Sequence, residues 1–202
     1  MKELLKKLNS EFDDAEGSIC IVDADWYSDD LRLSLSISMH DESQAELWGV
    51  SCEGVVEESI HSISEAALTV VYESPLLMPY QEIEVDLMFS ENSCKPALLL
   101  GLLFSTCFEV FGKENYLQRF LNQEPTLKGI VRSKYGKLGH FPKSLADKIV
   151  LALKDQPIRV NSIETGYPKK WTGAEFINYP SLVVLELGSS YVIAEGFSAV
   201  LS

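Results

Sequence analysis

The 202-residue sequence predicts an α+β fold, an antiparallel sheet meander with a few helices packed on one side. Three observations lead there. Residues 31–39 alternate strictly: Leu31, Leu33, Leu35, Ile37 and Met39 are separated by Arg32, Ser34, Ser36 and Ser38, the period of a half-buried strand. Polar turn signals recur at short intervals through the first half, which favours antiparallel pairing over β-α-β crossovers. After Lys95, 13 consecutive uncharged residues form an apolar run suited to a helix buried against a sheet.

In chain order, the first element is an amphipathic helix in which Leu4, Leu5, Leu8 and Phe12 share a face and Glu3 faces Lys7 across one turn. SICIVDADWY reads as a strand, joined to residues 31–39 by Ser28-Asp29-Asp30. AELWGVSC follows across Asp41-Glu42-Ser43. Further strands are expected at 55–63, 67–73 and 83–89, with Ser74-Pro75 and Met78-Pro79 breaking the chain between the last two. PALLLGLLFSTCFEVF is the buried helix. Its small or polar stripe of Gly101, Ser105 and Glu109 suits close packing, or a self-association seam. A helix near 114–122 comes next. Ser144-x-x-Asp147 then marks a capping box for a helix that buries Leu145, Ile149 and Leu153 and stops at Gln156-Pro157. PIRVNSI, SLVVLEL and SYVIAEGF return to strand, the last two joined at Gly188-Ser189-Ser190. A single domain over 1–202 is expected, with a change of lobe near residue 94 as the alternative.

Several function classes fall away. The N-terminus MKELLKKLNSEFDD lacks the apolar core of a secretory signal. As a helix, the longest uncharged run spans roughly 20 Å against about 30 Å of bilayer hydrocarbon, so no membrane span and a cytoplasmic location are expected. Cys20, Cys52, Cys94 and Cys107 form no C-x-x-C pair, and His40, His61 and His140 have no metal-ligand spacing, so free thiols and no metal site are expected. Around Gly136-Lys137 the positions that a phosphate loop needs hold Val131 and Leu138, and neither a G-x-S-x-G nor a G-x-G-x-x-G motif occurs. No cofactor and no catalytic motif are expected.

Charge is the informative feature. The chain carries 17 basic and 30 acidic side chains, a net of −13, which argues against general nucleic-acid binding. Residues 1–94 hold 4 basic and 21 acidic groups, and residues 95–202 hold 13 and 9. Asp29, Asp30, Asp41, Glu42, Glu57 and Glu58 lie in or beside strand turns, with Asp23 and Asp25 on one side of a strand. Together they suggest an acidic docking face for a basic protein, the alternative being charges that keep sheet edges apart. Arg132, Lys134, Tyr135, Lys137, His140, Phe141 and Lys143 form a basic, aromatic stretch read as a mobile loop around Gly136 and Gly139. Trp171, in GYPKKWTG, is a candidate contact residue if exposed.

ELWGVSCEGVVEESI, ALTVVYESPLLMPYQ and the strand IEVDLMFS carry a family resemblance over roughly residues 46–90. Through Trp48, Cys52, Gly54, Leu76, Leu77, Pro79 and Tyr80 this part resembles immunity proteins of bacterial contact-dependent and polymorphic toxin systems. The resemblance implies a small, acidic, non-enzymatic cytosolic protein that covers a toxin domain, a basic one where the toxin is a nuclease gripping phosphates. Two other readings stay open: a self-associating, homodimeric adaptor, and an enzyme whose site gathers Asp23, Asp25, Glu84 and His140.

Overall fold

The computed structural model describes residues 1–12, 16–40, 44–61, 64–65, 67–112, 117–121, 130 and 132–202. The architecture is α+β with antiparallel sheets, arranged as two compact units. Met1–Leu77 and Pro180–Ser202 build the first, and Met78–Tyr179 build the second, which is inserted into it. The change of sequence pattern near residue 94 lies inside the second unit.

In the first unit, helix α1 (Lys2–Glu11) precedes the strands β1 (Ser18–Tyr27), β2 (Asp30–Ser38) and β3 (Glu46–Glu53). These three form an antiparallel meander, as their alternation and turns predict. β4 (Glu57–Ser59), β5 (Ser64–Glu65) and β6 (Leu68–Val71) are shorter than the strands expected at 55–63 and 67–73. The Asp41-Glu42-Ser43 turn lies outside the described residues. On the C-terminal side, β12 (Val183–Leu187), β13 (Ser190–Ala194) and β14 (Gly196–Leu201) complete two sheets, ordered β14-β3-β2-β1-β5 and β4-β13-β12-β6.

The apolar rows of both sheets and α1 share one core. Leu31, Leu33, Leu35 and Ile37 of β2 are buried in it beside Leu4, Leu185 and Val192. Burying each large aliphatic side chain contributes about 1.5–3 kcal/mol, so the period-two row of β2 alone supplies much of the unit's cohesion. Lys7 bonds Glu46, which also accepts the Trp48 indole N–H at 3.0 Å, and so ties α1 to β3. These hydrogen bonds, Lys7 first, hold the Glu46 carboxyl below the ordinary carboxylate value.

The second unit holds α2 (Met78–Gln81), β7 (Glu84–Ser90), α3 (Pro96–Phe111), α4 (Leu117–Phe120), β8 (Gly136–Pro142), α5 (Lys143–Leu153), β9 (Arg159–Gly166) and the hairpin β10 (Lys169–Trp171) with β11 (Phe176–Asn178). Its main sheet has the order β8-β7-β9, with Leu87, Leu103, Phe141 and Ile149 in the core. Of the helix expected near 114–122, Leu121 instead forms an isolated bridge with Gly139, and residues 114–116 and 122 lie outside the described residues.

Two local expectations are corrected. Ser144 does not cap α5: the helix starts at Lys143 behind Pro142, which puts Ser144 inside the first turn. Glu82 serves that end from outside the helix, accepting the Ser144 N–H and hydroxyl, both at 2.7 Å. The centre of the basic stretch, Gly136 to Pro142, is no mobile loop but strand β8, with Leu138 and Phe141 fully buried; Arg132, Lys134 and Tyr135 precede the strand and Lys143 opens α5. Gly139 serves close packing there, because a Cβ would lie 2.2 Å from the Phe120 carbonyl oxygen and 2.7 Å from the Phe141 ring.

On α3, by contrast, a Cβ added at Gly101 meets nothing within 4 Å. Gly139→Ala is therefore expected to destabilise the protein by about 1–3 kcal/mol through overpacking. Gly101→Ala should stabilise it by about 0.5–1 kcal/mol through helix propensity. Urea unfolding of the two variants checks both signs.

Candidate protein-binding face

Dividing the charge by unit sharpens the pattern along the sequence. The first unit carries 4 basic and 19 acidic side chains, a net of −15, and the second carries 13 and 11, a net of +2. Several of the acidic groups meet at one corner of the first unit. The hairpin between β1 and β2 closes on Ser28 and Asp29, with Ser28 at φ 59°, the positive value that a tight hairpin turn takes at its first position. Its Asp29 carbonyl accepts the Val55 N–H at 2.7 Å, and the Asp30 carboxylate accepts the Gly54 N–H at 2.8 Å.

Gly54 lies where the chain leaves β3 for β4 and so passes from one sheet to the other. Beside it, β13 passes to β14 through Glu195, whose N–H donates to the Glu53 carbonyl at 2.8 Å. Gly54 has φ +60°, and a Cβ there would lie 2.6 Å from the Glu195 side chain. Asp29, Asp30, Glu53 and Glu195 are exposed at this corner, and Glu57 is half-buried next to it.

The sequence-predicted residues thus separate into roles. Asp30 is a backbone acceptor. Glu57 accepts the Tyr191 hydroxyl at 2.7 Å, and Glu58 accepts the Ile60 N–H at 3.0 Å. The Asp29 carboxylate has no partner among the described residues. Asp41 and Glu42 lie outside the described residues. Trp171 belongs to the second unit, where it is half exposed and packs on Phe176 across the β10–β11 hairpin, with ring centroids 4.8 Å apart. The sequence reading missed Glu53 and Glu195. The Glu195-Gly196 break in the last strand was their one signal, and it was read as continuous strand.

Of the four residues named for a dispersed acidic site, Glu84 and His140 do meet, on the outer face of the β8-β7-β9 sheet, while Asp23 and Asp25 belong to the other unit. His140 reaches Asp86 at 2.6 Å through Nδ1 and Glu84 at 3.1 Å through Nε2, and Lys137 bonds Asp86 at 2.6 Å. Burial alone would push the Asp86 carboxyl up, but the hydrogen bonds and charges of Lys137 and His140 outweigh it and hold it below the ordinary value. Cavities of about 460 and 440 Å³ adjoin Ile158 and Arg159 at the start of β9, and neither is lined by this network. Burial, aided by the Asp30 charge, pushes the Cys52 thiol up to about 12, and burial pushes Cys107 up to about 11, so neither is a ready nucleophile at neutral pH. Among the described residues, no group of three or more His, Cys, Asp or Glu is placed to hold a metal ion, and no helix is long and apolar enough to cross a membrane.

No protein-family model matches the chain, and neither curated proteins nor solved structures provide a match.

Two outcomes follow from this geometry. Asp30→Ala should cost about 1 kcal/mol by leaving the Gly54 N–H without its acceptor, and Asp30→Asn, which keeps an acceptor oxygen, should cost less; urea midpoints decide. Asp86 has a folded pKa below its unfolded one, so its contribution is complete above the ordinary value of 3.8 and is lost as the pH falls through the lower folded value. The difference in urea midpoint between the native protein and Asp86→Asn should accordingly narrow as the pH falls below about 4.

Proposed function

We propose that this protein is a non-enzymatic binding protein whose acidic unit docks a basic protein domain and neutralises it in the manner of a toxin-immunity protein. The observation that carries this reading is the segregation of charge: a net of −15 on the first unit, with acidic side chains gathered at the Gly54 corner. Such a field speeds encounter with a basic surface and disfavours wrong partners. The resemblance over residues 46–90 points the same way, because a nuclease that grips phosphates presents the basic face such a unit would cover.

The test separates docking charge from structural charge. Asp30, Glu57 and Glu58 are left intact, since their carboxylates hold the fold, and Asp29, Asp41 and Glu42 are changed together to Lys. Affinity capture from the source cell should yield a stoichiometric basic partner that salt releases. The purified partner should bind the triple variant at least about tenfold more weakly, a loss of about 1.4 kcal/mol. It should also lose its own activity when the native protein is added. Equal affinity for both proteins would overturn the acidic docking face. Recovery of further copies of this chain alone would direct attention to the exposed Leu98, Phe104 and Phe108 of α3 instead.

A further inference from the structure

β1 pairs with β2 along its whole length, from Ser18 with Ser38 to Tyr27 with Asp30. On its other side β5 pairs only with Ile19 and Cys20. Among the described residues, the outer backbone edge of 22–27 therefore has no strand against it, the Ala24 N–H donating instead to the Asp23 carboxylate at 3.0 Å, and all six residues are exposed. The register shift at Val22 sets the faces of this edge. Beyond it, Asp23 and Asp25 lie opposite Ser34 and Arg32 on the polar face, while Ala24 and Trp26 lie opposite the buried Leu33 and Leu31. Trp26 shares the core-side face yet is 51% exposed, whereas its neighbour Leu31 is 1% exposed and Ile19 farther along β1 is fully buried, so the cover over the apolar row ends short of the hairpin end of β1.

We infer that the 22–27 edge of β1 accepts an extended strand from the basic partner, which pairs with it backbone to backbone, sets cationic side chains beside Asp23 and Asp25, and covers Trp26 with apolar ones. The inference rests on the proposed docking function and adds to it the mode of recognition. Charge selects the occupant. A second copy pairing antiparallel at this edge would set aspartate beside aspartate, and like charges directly opposite each other destabilise a sheet. Acidic residues that served only to keep edges apart would not need a half-exposed Trp26 on the alternate face. A strand that alternates basic and apolar residues satisfies both rows at once, because its side chains have the same period of two.

The probe is a capped peptide of alternating lysine and valine, roughly nine residues long so that it spans the edge at about 3.3 Å per residue. Its control is the same peptide N-methylated at every amide, which keeps the charge and the side chains but leaves neither edge of the peptide a backbone N–H to pair. The unmodified peptide should bind and slow amide hydrogen exchange within 22–27. The N-methylated peptide should bind at least about tenfold more weakly, as should the unmodified peptide to Asp23→Asn/Asp25→Asn. Equal binding of the two peptides, protection elsewhere in the chain, or no binding at all would overturn strand addition. Equal, salt-sensitive binding of both peptides would leave the acidic docking reading standing. That reading fails separately, if the partner binds the Asp29, Asp41 and Glu42 triple variant unchanged.

Discussion

Gly54 holds φ +60° with the Glu195 side chain packed against it, and four strands take their direction from that residue. β3 and β14 pair in one sheet, β4 and β13 pair in the other, and the two pairs form a single antiparallel ribbon bent at Gly54 and Glu195. A bend this sharp exposes backbone donors, and each must find an acceptor. Val56 donates to Ile193 at 2.9 Å, Val55 to Asp29 at 2.7 Å and Gly54 to the Asp30 carboxylate at 2.8 Å. The β1–β2 turn thus serves as a brace for the corner where the chain changes sheet.

That brace explains why acidic residues crowd there without disrupting the unit. The Asp30 carboxylate and the half-buried Glu57 beside it are fold-holding acceptors, while Asp29, Glu53 and Glu195 stay exposed to solvent, where charge repulsion is screened. Sheet closure and the negative potential at this corner arise from the same short turn. In the second unit, the outer face of the sheet uses charge differently. Carboxylates from β7 are met by Lys137 and His140 of β8: Lys137 neutralises Asp86 across the strands, and the His140 ring bonds both Glu84 and Asp86.

The legible parts of the fold were those where a periodic pattern coincided with burial. The row from Leu31 to Ile37 identified β2, and the uncharged run after Lys95 identified α3, because each buries the face its period defines. β8 was not legible. Its two glycines, within a stretch rich in basic residues, read as a loop, and its identity depends on pairing with β7, which is distant in sequence. The start of α5 was misread for a similar reason: Glu82 caps it from 62 residues away, which a local motif cannot reveal. Acidic turns were legible as a group, but which carboxylate holds the fold depends on the bend at Gly54. The edge of β1 was hidden because pairing, unlike alternation, leaves no mark on a single strand.

The insertion of one unit into the other sets an order of events during synthesis. The second unit is contiguous, from Met78 to Tyr179, and its two ends are fastened to each other where Tyr80 meets Tyr179 with ring centroids 5.0 Å apart. It can close as soon as it leaves the ribosome. The first unit cannot, because β12, β13 and β14 follow residue 179. At about 5–20 residues per second, the apolar faces of β1, β2 and β3 wait several seconds or longer for those strands. Over that interval the waiting segments, residues 1–77, carry 4 basic and 17 acidic side chains, a net of −13 that opposes their association with one another, so the same acidic residues that suit a basic partner also protect the nascent chain.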